Sequence, residues 1–133
     1  MSKDQRAPRG QLATRTLAMP ADANPQGDIF GGWVVSQMDV AGGITAIQRC
    51  GGRAVTVSID GMSFHLPVHI GDVLAVYADI TAIGRSSMTI HVEAWAERRV
   101  TGEMAKVTEG TFTFVAVDDD GRPRPVPAAP EGD

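Results

Sequence analysis

The sequence predicts an α+β fold in which an antiparallel β-sheet wraps around one long central helix. Three observations carry the prediction. The apolar run from Gly31 to Arg49 is too long for one strand and contains no proline. The four runs after it are strand-like and joined mostly by turns tight enough for hairpins, which make a sheet antiparallel. One further strand-like run precedes the helix. A single helix cannot cover both faces of such a sheet, so the exposed edge or face calls for a second copy of the chain, a dimer at least.

Each element has its own local signal. Residues 1–10 are polar and charged and read as a flexible N-terminus. Gln11 to Met19 reads as a first strand ended by Pro20, and residues 21–27 as a loop of turn formers. The helix follows, with Asp28 placed to cap or charge-complement its start, Arg49 in its last turn and Gly51-Gly52 as its stop. Arg53 to Phe64 begins with β-branched alternation and reads as a second strand. Asp72 to Ile83 and Ser87 to Arg98 read as a third and fourth. In the fourth, Met88, Ile90, Val92, Ala94 and Ala96 alternate with polar neighbours at period two. Met104 to Val117 is the fifth, closed by residues 118–121. Residues 122–133 form a Pro-rich tail that reads as mobile. The single domain thus spans residues 11–121.

The 133 residues fit one domain, and 43% of them are hydrophobic, enough for a sizeable core. The net charge of -4 gives no electrostatic case for nucleic acid or an anionic membrane. The central run is interrupted by Ser36, Gln37 and Asp39, so no membrane span is expected, and the first residues lack the apolar core of a signal peptide. The lone cysteine, Cys50, excludes an intrachain disulfide and reads as structural. A cytoplasmic location is the simple expectation.

Between Phe30 and Gln48 the helix carries one formal charge, Asp39. At 100° per residue, Gly32, Val35, Ser36, Gly42, Gly43 and Ala46 share its face, while Gln37 and Gln48 lie opposite. The glutamines therefore mark the expected solvent face, and Asp39 is expected to point towards whatever the helix packs on. The Gly42-Gly43 pair costs about 1 kcal/mol per glycine against alanine, which makes sense where something must approach closely. A buried aspartate there is either a hydrogen-bonded structural group or an acid, base or nucleophile. Gly31 and Gly32 offer backbone N–H groups at the positive end of the helix. Donors at the helix start and a carboxylate on the same side suit acyl transfer, the donors polarising a carbonyl and the carboxylate activating water or attacking. Gly84-Arg85-Ser86-Ser87 combines turn N–H groups, a guanidinium and hydroxyls, which suits phosphate; it is equally an ordinary hairpin turn. His65 and His69 flank Pro67 in a turn and His91 sits on the polar face of a strand, so no metal site is expected.

These residues together resemble a known family. Asn24-Pro25-Gln26-Gly27-Asp28-Ile29-Phe30-Gly31-Gly32-Trp33, followed by Ser36-Gln37-Met38-Asp39, is similar to the loop and helix of hotdog-fold acyl-CoA thioesterases of the YciA type. Arg15 to Pro20, Ile83 to Ser87 and Thr111 to Asp118 resemble the family's first strand, its hairpin turn and its last strand, so the likeness runs from about Leu12 to Pro127. The resemblance implies hydrolysis of acyl-CoA to free acid and CoA without metal or organic cofactor, by dimers with sites at the interface, often assembled as a trimer of dimers. It implies Asp39 as the catalytic carboxylate, Asn24 as the loop asparagine near the carboxylate of the other subunit, Gly31 or Gly32 as the carbonyl-polarising donor, and Gly84, Arg85, Ser86 and Ser87 at the CoA nucleotide. In one departure, Ser63 stands before Phe64 where the pattern has Asn. Trp33, Met38 and Met62 are candidates for the acyl tunnel and equally for plain core. The alternative reading is a non-catalytic acyl-CoA-binding module, which would keep the turn but has no need of Asp39. A hydratase would need a histidine at the site, and the helix has none.

Overall fold

The computed structural model describes residues 7–129. Its elements run β1 (Gln11–Leu17), a 3-10 turn (Pro20–Asp22), α1 (Gly31–Cys50), β2 (Ala54–Asp60), β3 (Val73–Ile83), β4 (Ser87–Glu97) and β5 (Met104–Ala116). All strand pairs are antiparallel, in the order β1-β3-β4-β5-β2, with α1 against one face. The predicted strands and helix are all present. β2 stops earlier than Phe64, at Asp60, where Gly61 takes a φ of 72° that ends the extended run. The helix ends as its glycines predict: Gly51 adopts the left-handed conformation and its N–H closes on the Ile47 carbonyl at 2.8 Å.

Small residues set how deep the helix sits. Val34, Met38, Ala41, Gly42, Ala46 and Cys50 are buried against the sheet. A Cβ on Gly42 would lie 2.9 Å from the Phe114 ring of β5, so only glycine lets that ring fit beneath the helix. The buried axis therefore lies about a quarter turn from Asp39, not along it. Of the two glutamines, Gln48 is exposed as expected, but Gln37 is not. Gln37 is half-buried and accepts a hydrogen bond from the Thr16 hydroxyl of β1 at 3.1 Å. The stripe turned away from the sheet is Ser36, Val40, Ile44 and Ile47, all exposed. Apolar side chains on edge strand β2, Val55, Val57 and Ile59, are exposed as well. Large apolar groups on an outer helix stripe and an unpaired strand edge are surface that a single chain leaves uncovered.

Both ends depart from expectation. Residues 1–6 and 130–133 lie outside the described residues, but residues 7–10 are tied to the sheet. Arg9 Nε pairs with Asp79 at 2.8 Å, and its backbone N–H donates to Glu93 Oε1. The tail is not free: Arg124 N–H donates to the Ala116 carbonyl, Val126 N–H to the Arg85 carbonyl, and Arg49 donates to the Pro127 carbonyl at 2.6 Å. The Arg124 guanidinium also reaches the Cys50 carbonyl at 3.2 Å, closing the tail over the end of the helix.

Candidate active site

The loop before α1 is self-supporting. Asn24 Oδ1 accepts N–H bonds from Gln26 and Asp28 at 3.0 and 3.1 Å, and Asn24 N–H donates to the Asp28 carbonyl. Its oxygen is thus committed to the loop, and what it can offer a reactant is its Nδ2 donor. Asp28 does not cap the helix as expected; it faces His69 at 3.6 Å. The N-cap is Phe30, without a side-chain cap bond. The exposed Gly31 and Gly32 occupy the first two helical positions, whose N–H groups have no carbonyl one turn back to bond. Two donors at the positive end of a helix dipole remain turned to the outside.

A cavity of about 360 Å³ opens beside them. Gly31, Val34, Phe64, Leu66 and Val107 line it, with the Phe64 ring 3.5 Å from where a Gly31 Cβ would stand. Its walls are mostly apolar, suited to an acyl or pantetheine segment. The tunnel candidates Trp33, Met38 and Met62 are not among its lining; Met38 is fully buried core, and the other two pack against the core.

Asp39 sits on the flank of α1 that faces β2, half-buried. Thr56 of β2 donates its hydroxyl to Asp39 Oδ1 at 2.7 Å. Thr56 was not legible as a site residue: it lies 17 positions away on another element, with no motif around it. Asp39 is seven residues beyond Gly32, about 10 Å along the helix axis. A carboxylate that activates water must lie within hydrogen-bond reach of it, and the axial rise sets Asp39 well apart from the helix-start donors of the same chain. Nor does any hydrogen bond join Asn24 to Asp39 within one chain.

Gly84-Arg85-Ser86-Ser87 forms the β3–β4 turn, closed by Gly84 N–H on the Ser87 carbonyl at 2.8 Å. The Arg85 side chain is exposed and makes no hydrogen bond among the described residues. Through Val126 and Pro127 the turn is tied to the C-terminal end of α1. A 20-residue helix spans about 30 Å, so the turn and the Gly31-Gly32 donors lie at opposite ends of one chain.

The sheet face away from α1 holds a second charged group that the sequence did not reveal. Glu93 and Glu109 stand directly opposite across β4 and β5. His91 Nε2 lies 2.8 Å from Glu93 and 3.2 Å from Glu109, and Lys106 Nζ lies 3.7 and 2.8 Å from the same carboxylates. His91, Glu93 and Glu109 have metal-ligand proximity, but Lys106 already supplies a cation between the two carboxylates. The cross-strand register assembles this group, which residue spacing alone cannot show.

Among the described residues no helix is long and apolar enough to cross a membrane. Residues 26–103 match the family model of the Thioesterase superfamily. The chain is 48% identical over 130 residues to the acyl-CoA thioester hydrolase YciA of Salmonella typhimurium, covering 96% of this chain and 98% of the relative. Two crystal structures are similar throughout. The hexameric thioesterase y2039 of Yersinia pestis superposes with a TM-score of 0.89 at 50% identity, over 92% of this chain and all of that one. The hexameric hotdog-fold thioesterase Cj0915 of Campylobacter jejuni gives 0.83 at 39% identity, over 89% and 91%. With its helix laid against a five-stranded antiparallel sheet, the chain belongs to the Thioesterase superfamily and, within it, to the hotdog-fold acyl-CoA thioesterases of the YciA type.

Proposed function

We infer that this protein hydrolyses acyl-CoA to a free carboxylic acid and CoA. The likeness along nearly its whole length to a protein named acyl-CoA thioester hydrolase carries the inference. In the reaction, the thioester carbonyl accepts hydrogen bonds from the first-turn N–H groups of Gly31 or Gly32. As a general base, Asp39 takes a proton from water while the water oxygen adds to the carbonyl carbon. The tetrahedral oxyanion collapses, the C–S bond breaks, and the proton passes to the departing CoA thiolate. As a nucleophile, Asp39 would instead attack the carbonyl carbon and expel the CoA thiolate, forming a mixed anhydride that water then opens to the free acid and the regenerated carboxylate. Neither route calls on a metal or organic cofactor.

The 10 Å separation along α1 supports a site built from two subunits, Asp39 from one and Gly31, Gly32 and Asn24 from its partner. The uncovered edge strand β2 and the outer stripe of α1 are the surfaces a partner would close, and assembly to a trimer of dimers accords with the hexameric relatives. Arg85, with Gly84, Ser86 and Ser87, would receive the phosphates of the CoA nucleotide. A cytoplasmic location belongs to the same proposal.

The test is thiol release from a panel of short to long acyl-CoAs by wild type and Asp39→Asn. Wild-type turnover with a loss of about 10²-fold or more in a folded variant is expected. An inert wild type that still binds CoA would mean a binding module.

A further inference from the structure

We propose that Arg49 is a second phosphate-binding residue for the CoA nucleotide and takes its 3′-phosphate, which rests on the reading of the Arg85 turn as the seat of that nucleotide. Several arginines of the chain are committed. Arg9, Arg15 and Arg98 pair with carboxylates at 2.8, 2.6 and 2.6 Å, and Arg53 and Arg124 donate to backbone carbonyls. Arg49 and Arg85 have no carboxylate partner among the described residues. The C-terminal segment places the two side by side. Val126 N–H donates to the Arg85 carbonyl at 2.8 Å, and Arg49 Nη1 donates to the carbonyl of the next residue, Pro127, at 2.6 Å. Consecutive Cα atoms stand about 3.8 Å apart, so both arginines hold neighbouring links of one extended segment.

The surroundings leave this pair of charges available to an anion. Residues 122–129 contain no acidic residue. The acidic turn at Asp118, Asp119 and Asp120 lies beyond the Val117–Pro123 bridge. The segment from Pro123 to Pro127 extends about 13 Å, more than the Debye length of about 8 Å at physiological salt. The negative end of the α1 dipole would oppose an anion, but the Arg124 guanidinium meets it at the Cys50 carbonyl, at 3.2 Å. Donor geometry divides the phosphate groups of the nucleotide between the two arginines. At the turn, Arg85 stands with the hydroxyls of Ser86 and Ser87, several donors for the several oxygens of a diphosphate. Arg49 spends one N–H on Pro127, and its Nε and Nη2 edge remains a fork that fits a single phosphate bidentately.

The experiment measures Kd for CoA and for 3′-dephospho-CoA by isothermal titration calorimetry with wild type, Arg49→Gln and Arg85→Ala, each shown folded by circular dichroism. Glutamine keeps an N–H for the Pro127 carbonyl and removes the charge, so the tail stays in place. Wild type is expected to bind CoA about 5- to 20-fold tighter than 3′-dephospho-CoA, the scale of one charge-assisted contact at an exposed site. In Arg49→Gln that difference should disappear, with the Kd for 3′-dephospho-CoA within about twofold of wild type. Arg85→Ala should weaken both ligands by a similar factor. If Arg85→Ala weakens both ligands while Arg49→Gln leaves the discrimination intact, or weakens both equally, the proposal for Arg49 is overturned and the turn stands. If Arg85→Ala changes neither Kd, the reading of the turn is overturned and the proposal with it.

Discussion

Mixing two inactive variants tests directly whether the site is shared between subunits. Asp39→Asn removes the proposed base. Asn24→Asp keeps the oxygen that accepts from Gln26 and Asp28, so the loop is preserved, and removes the Nδ2 donor. Each homodimer then carries two defective sites. If one site takes Asp39 from one subunit and Asn24 from the other, a mixed dimer has one doubly defective site and one intact site. Random pairing after co-expression makes about half the dimers mixed, so activity should return to about one quarter of wild type, a level set by the isologous symmetry of a dimer. If each chain held a complete site, mixing would restore nothing, because every chain carries one defect. The two-subunit site proposed above predicts the first outcome, and the rise of about 10 Å between Gly32 and Asp39 along one helix supports it. The assay is thiol release from tandem-tagged, co-expressed protein, normalised to site concentration. Activity of the mixture at or below the mean of the two parents would refute the two-subunit site.

Three further outcomes follow from particular contacts. Gly42→Ala gains about 1 kcal/mol of helix propensity, but its methyl would lie 2.9 Å from the buried Phe114 ring, an overpacking cost of about 1–3 kcal/mol; a lower melting temperature in calorimetry is expected. Arg85→Ala should raise KM for acyl-CoA several-fold and leave KM for the matching acyl-N-acetylcysteamine thioester unchanged, because that substrate lacks the nucleotide phosphates. Arg124→Ala removes hydrogen bonds to the Val117 and Cys50 carbonyls, so it should cost about 1–2 kcal/mol in denaturant unfolding and speed labelling of buried Cys50 by a thiol reagent.

How much of this was legible in the sequence depends on the range of the signal. The helix, its glycine stop and the hairpins are local, and each appears within a residue or two of its expected bounds. Asp39 announced itself as the lone charge in an apolar run. The direction it faces did not, because apolar residues lie on nearly every side of this helix. Ala41, Gly42 and Ala46 go to the sheet together with Val34 and Met38, while the equally apolar Val40, Ile44 and Ile47 face outward. Helical projection weighs hydrophobicity and cannot tell a sheet-facing side from a side left open for another subunit. Thr56 and the His91–Glu93–Glu109 group were hidden for a related reason, since only strand register brings them to their partners.

The tail is the clearest case of composition misleading. Proline richness suggested mobility, yet the prolines fall at 123, 125 and 127, alternating with Arg124 and Val126. At period two, alternate backbone N–H groups point to opposite sides of an extended segment. The two residues that retain an N–H use it inward, on the Ala116 and Arg85 carbonyls, while Val117 and Pro123 form a bridge beside them. Proline is tolerated on an edge strand at positions whose missing donor would face solvent. The same alternation that looks like a disordered linker therefore specifies a short edge segment, and that segment holds both the end of the helix and the Arg85 turn. A chain cut before Arg124 should consequently lose affinity for the nucleotide end of acyl-CoA as well as stability.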